Sequence, residues 1–115
     1  MSAEQSDTLT DAEITLLAHQ ALASYPAALR GELKLLCRSE NATFLLQAAG
    51  KRYALRLHRP HYHSKADIQS ELLWLDALRD IGIMVPQAIP ASDGATVLTL
   101  PMTNGAERYA VLFHW

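Results

Sequence analysis

With 115 residues, 50% hydrophobic and 19% charged, the chain can bury roughly two thirds of its unfolded surface, enough for one core and too little for two. A formal net charge of -2 and a pI of about 6.2 argue against a nucleic-acid or anionic-membrane binder, because such domains carry a marked basic excess. The single cysteine, Cys37, leaves no intramolecular disulfide and no thiolate metal cluster.

Residues 1–9 read as a disordered polar tail, and residues 10–115 as one folded unit. No apolar run approaches the roughly 18 residues of a membrane span, and the amino terminus lacks the positive region of a secretory signal, so the cytoplasm is the expected location. Thr10-Asp11-Ala12-Glu13 matches a capping box, and Ile14, Leu17, Ala18, Ala21 and Leu22 follow at helical spacing, which predicts a helix over 11–24. Tyr25-Pro26 breaks it, since the residue before proline avoids helical geometry. Strands are predicted over 33–38, 43–48 and 52–58, the last two joined by a tight turn at Ala49-Gly50-Lys51. In Leu35-Leu36-Cys37 the thiol reads as a small buried apolar residue. A second helix starts at a Ser64 cap, with Asp67 near its positive end and Arg79 near its negative end, and stops at Asp80-Ile81-Gly82. Prolines keep 85–90 extended. Two more strands are expected over 95–100 and 109–115, with turn formers at Asp93-Gly94 and Asn104-Gly105.

The chemistry concentrates in Tyr53-Ala54-Leu55-Arg56-Leu57-His58-Arg59-Pro60. In a strand, Ala54 and Arg56 share one face and Tyr53, Leu55 and Leu57 the other. A small residue beside a long cation suits a nucleotide: room for a flat base, and reach toward phosphates. The cation needs a carboxylate to hold it. Taking about 100° per residue, Ile68, Leu72, Leu75, Leu78 and Trp74 of the second helix fall in one arc that also contains Glu71. A carboxylate there is costly unless paired; otherwise Glu71 is a half-exposed residue at the edge of the stripe. His58, His61 and His63 invite a metal reading. Without a carboxylate or thiolate alongside, and with Pro60 among them, a solvated basic link between strand and helix is the better reading.

Ser39-Glu40-Asn41-Ala42-Thr43-Phe44, Tyr53 to Pro60, Glu71-Leu72-Leu73-Trp74-Leu75 with Leu78, and Val85-Pro86, in this order and spacing, resemble the amino-terminal lobe of the aminoglycoside phosphotransferase family, closest to its homoserine kinase type II and stress-response kinase branch. The resemblance covers most of the chain from about Leu33 onward. It implies an α+β, protein-kinase-like lobe: an antiparallel sheet of about five strands, one packed helix carrying Glu71, and an extra amino-terminal helix. It also implies that Arg56 holds the α- and β-phosphates of ATP, that Glu71 orients Arg56, and that Ala54 roofs the adenine. The family more often has lysine at the Arg56 position; arginine keeps its charge and forks to two oxygens. The loop from Ser39 occupies the place of the kinase glycine-rich cover. It contains no Gly-x-Gly-x-x-Gly, so phosphate contacts would come from backbone amides and from Ser39, Asn41 and Thr43, or the loop is an ordinary hairpin turn.

Such kinases run to roughly twice this length or more, and their second lobe carries a His-Gly-Asp loop, a downstream Asn and a magnesium-binding Asp; the resemblance therefore implies a lobe cut before the hinge, with ATP and Mg2+ as cofactors of a longer parent and a small hydroxyl-bearing substrate held by the missing lobe. None of those motifs occurs here. The expectation for the isolated chain is no phosphoryl transfer, no tightly bound cofactor, and self-association through an apolar patch around Phe113 and Trp115. A non-catalytic binding module with the same fold is the alternative.

Overall fold

The structure is a computed structural model that describes residues 9–38, 41–58, 64–102 and 107–115. Helix α1 (Asp11–Leu22) begins at the expected capping box: the Glu13 amide donates to Thr10 Oγ1 at 3.1 Å, and the Thr10 amide donates to Glu13 Oε1 at 2.8 Å. It ends two residues before the predicted bound, and a single 3-10 turn follows Pro26 at Ala27–Leu29.

Strands β1 (Glu32–Arg38), β2 (Asn41–Ala48) and β3 (Lys51–His58) form an antiparallel meander. Ala48 pairs with Lys51, so the β2–β3 turn has only two residues, Ala49 at φ 53° and Gly50 at φ 75°. Positive φ at both positions matches the right-handed twist of the flanking strands, and Ala49 adopts it against its own steric preference. Lys51 belongs to the strand. β1 carries a bulge between Leu35 and Cys37 that breaks the period of two. This overturns the expectation of a buried thiol: Cys37 is exposed and lies opposite Thr43, while Leu36 is 46% exposed.

Helix α2 (Lys65–Asp80) starts with a second reciprocal cap between Ser64 and Asp67. It closes in a Schellman motif: the Gly82 amide, at φ 91°, donates to the Arg79 carbonyl, and the Ile83 amide donates to the Leu78 carbonyl. The remaining strands are β4 (Ala88–Ile89), β5 (Leu98–Pro101) and β6 (Glu107–His114). β5 starts later than the predicted 95 because residues 91–95 close a turn, with the Ala91 amide donating to the Ala95 carbonyl and the Ala95 amide donating to Asp93 Oδ1. The sheet order is β1-β2-β3-β6-β4, with β5 also paired to β6, giving six antiparallel strands.

The two helices cover opposite faces of this sheet. Ile14, Leu17, Ala18, Ala21 and Leu22 of α1 pack with Phe44, Leu46, Leu55, Leu57 and Leu112 into the larger core. Ile68 and Leu72 of α2 pack with Val97, Val111 and Phe113 into a smaller one, edged by Ala54, Leu75, Ala88 and Tyr109.

Candidate functional site

Cross-strand register assembles the candidate residues. On β2, Asn41 lies opposite His58, Thr43 opposite Arg56 and Leu45 opposite Ala54; on β6, Val111 lies opposite Arg56 and Phe113 opposite Ala54. Directly paired residues point to the same face, so Asn41, Thr43, Ala54 and Arg56 share the α2 side of the sheet, away from α1. All four are half-buried. Asn41 is the first residue of β2, not part of the preceding loop as the sequence suggested. Its Oδ1 is buried and finds no hydrogen-bond partner among the described residues. Ser39 lies outside the described residues, as do His61 and His63.

Arg56 is half-buried, with its Cζ 5.2 Å from the centroid of the Phe113 ring. Phe113 is 5% exposed, so the guanidinium lies over a dry aromatic ring. The sequence reading placed Phe113 in an exposed patch and gave it no part in the site. The signal that would have found it is the diagonal: once Ala54 pairs with Phe113, Arg56 is two residues along the same face, within reach of a long side chain across an antiparallel pair.

Glu71 is exposed, and among the described residues no ion pair joins it to Arg56. The buried line of α2 is Ile68 and Leu72, with Leu75 half-buried. At about 100° per residue Glu71 stands about 60° to one side of Ile68, and Trp74 about 120°. Glu71 therefore occupies the rim of the stripe, and Trp74, expected in the apolar arc, is 63% exposed.

Two groups that the sequence did not single out also border this end of the sheet. Arg108 is 1% exposed and its Nη1 donates to the His58 carbonyl at 3.4 Å. Tyr109 is half-buried and donates to Glu107 Oε1 at 3.3 Å, and desolvation, with the carboxylate beside it, raises the phenol above its ordinary range. Among the described residues no group of three or more His, Cys, Asp or Glu side chains converges as a metal site. Met84 and Trp115, 97% and 61% exposed, line one groove of about 380 Å³ with Arg79, Pro86 and His114.

The phosphotransferase enzyme family (APH) matches residues 35–111. An uncharacterized protein of Deinococcus radiodurans is 33% identical over 79 residues, which are 69% of this chain and 23% of that protein. Among solved structures, a microcompartment-associated aminopropanol kinase superposes with a TM-score of 0.80 at 39% identity, over 88% of this chain and 31% of the kinase. The amicoumacin kinase hAmiN, in complex with AMP-PNP, Ca2+ and Ami, superposes with a TM-score of 0.78 at 19% identity, over 99% of this chain and 34% of the kinase; at that identity the likeness is one of fold. The chain thus spans between 23% and 34% of the length of these relatives.

Proposed function

The chain belongs to the phosphotransferase enzyme family, and from that premise we propose that it is the amino-terminal, ATP-binding lobe of a small-molecule kinase that transfers the γ-phosphate of ATP to a hydroxyl group. The observation that carries the reading is the placement of Arg56 beside Ala54 on the α2 face, with Asn41 and Thr43 in register next to them. In this reading the Arg56 guanidinium donates bidentately to α- and β-phosphate oxygens. Ala54 leaves space for the adenine ring, and the Asn41 and Thr43 side chains, with Ser39, contact phosphate. Glu71 orients Arg56 once the two approach each other. The donor set suits a polyphosphate anion: a half-buried permanent cation flanked by short polar groups.

Among the described residues no group of three or more His, Cys, Asp or Glu side chains converges, and we assign the Mg2+ ligands, the catalytic base and the acceptor pocket to a second lobe. The isolated chain then performs no phosphoryl transfer, and it self-associates through the groove at Met84 and Trp115. The exposure of Glu71 without an ion pair to Arg56 favours a second reading, a non-catalytic module that keeps the fold.

Arg56→Ala in the longer reading frame separates the two. The kinase reading expects phosphoryl transfer to fall by orders of magnitude with the fold intact by circular dichroism. Undiminished activity of Arg56→Ala, or a reading frame that continues into no His-Gly-Asp loop, would overturn it.

A further inference from the structure

We propose that Phe113 is the positioning residue for Arg56: its ring seats the guanidinium toward the phosphate site before nucleotide arrives, a task the sequence assigned to Glu71. The proposal deepens the ATP-lobe reading and rests on it for the ligand. Three observations converge. The Arg56 Cζ lies 5.2 Å from the Phe113 centroid, within the range of an attractive contact between a cation and a ring face. Phe113 is itself clamped, buried with Ile68, Leu72 and Val111 and fixed on β6 by its pairing with Ala54 and Ala88. Glu71, the alternative holder, is exposed and makes no ion pair with Arg56.

A seat of this kind suits an arginine. The guanidinium is planar and weakly hydrated, so it stacks on a ring face at little desolvation cost while its edge N–H groups stay available to two phosphate oxygens. A carboxylate holder takes up some of the five N–H donors of the guanidinium, leaving fewer for phosphate. The ring leaves those donors open and removes rotamer freedom that ATP binding would otherwise have to freeze.

The test uses the isotope-labelled 115-residue chain in solution. In the wild type the Arg56 side-chain protons are expected to be shifted upfield by the ring; Phe113→Leu should abolish that shift, and Phe113→Tyr should keep it. Titrated with ATP by NMR, Phe113→Leu should bind about three- to tenfold more weakly than wild type, Phe113→Tyr should bind within about twofold, and adenosine should bind all three chains alike. Amide contacts between Tyr53 and His114 report whether β3 and β6 remain paired in each variant. If Phe113→Leu does not fold, Arg56→Gln leaves the ring in place and must move the Phe113 ring resonances without moving those of Ile68 or Leu72. Unshifted Arg56 protons in the wild type overturn the proposal, as does equal ATP affinity in Phe113→Leu, or a loss in Phe113→Tyr as large as in Phe113→Leu. A Phe113-dependent shift in a chain whose resonances ATP leaves unmoved upholds the contact and overturns its role in ATP binding by this chain.

Discussion

The two faces of the sheet are built to different standards. On the α1 side, eighteen buried residues form one apolar cluster in which Phe44, Leu46, Leu55, Leu57 and Leu112 are all 0% exposed. On the α2 side the buried apolar cluster of the described residues holds only five, and the surface beside it is left to half-buried Thr43, Ala54 and Arg56. Close-packed apolar interiors supply most of a domain's stability, whereas ligand sites need accessible, partly polar surface. One face of β3 thus holds the fold together, while the other keeps a cation and a small residue accessible. Strand alternation makes both possible within Tyr53–His58.

That contrast can be broken first by truncation. Phe44→Ala on the α1 face should cost about 3–5 kcal/mol, the range for an aromatic residue removed from a rigid core, and should shift the denaturation midpoint accordingly. Leu72→Ala on the α2 face, where the cluster is thin and the residue 8% exposed, should cost about 2 kcal/mol, the low end for leucine. Equal costs would mean that the two faces are equally well packed.

Alkaline titration sharpens the same comparison. Tyr25, 1% exposed beneath the α1 face, has its phenol pushed up to about 12 by burial. The folded chain therefore holds this proton more tightly than the unfolded chain, whose phenol titrates near 10. The corresponding stability is fully present below pH 10 and is lost as pH rises from 10 through 12, by roughly 3 kcal/mol. Tyr25→Phe should flatten that part of the pH–stability curve, measured by urea denaturation.

The smallest effect expected is at the β2–β3 turn, which serves both faces. Ala49 at φ 53° sits where an L side chain is disfavoured. Ala49→Gly should stabilise the chain by about 0.5–1 kcal/mol without changing the register, and hydrogen exchange of the β2 and β3 amides would show protection rising on both sides of the sheet together.

Much of this arrangement was legible in the sequence, because it depends on local rules. Both helix caps, the glycine stop at Gly82, the hairpin at Ala49-Gly50 and the alternation that parts Arg56 from Leu55 and Leu57 follow from neighbours a few residues apart. What escaped depends on elements distant in the chain. The bulge that turns Cys37 outward appears only when β1 meets β2. β4 exists only because Ala88 and Ile89 find Phe113 and Leu112. The stripe on α2 looked wide enough to include Trp74 and Glu71, but the sheet accepts only its centre, leaving Trp74 outside and Glu71 at the rim. The Arg56–Phe113 contact joins residues 57 positions apart and needed the β3–β6 register before it could be seen.

The measurement that tests the division of labour most directly is an ATP titration of the 115-residue chain followed residue by residue by NMR. We expect shift changes confined to the α2 face of β2, β3 and β6, at Asn41, Thr43, Ala54, Arg56 and Phe113, with a dissociation constant in the millimolar range or weaker, a binding free energy of about -4 kcal/mol or less favourable. Arg56→Ala should remove the response. Changes centred on the α1 face, or an unaltered titration of Arg56→Ala, would contradict the account.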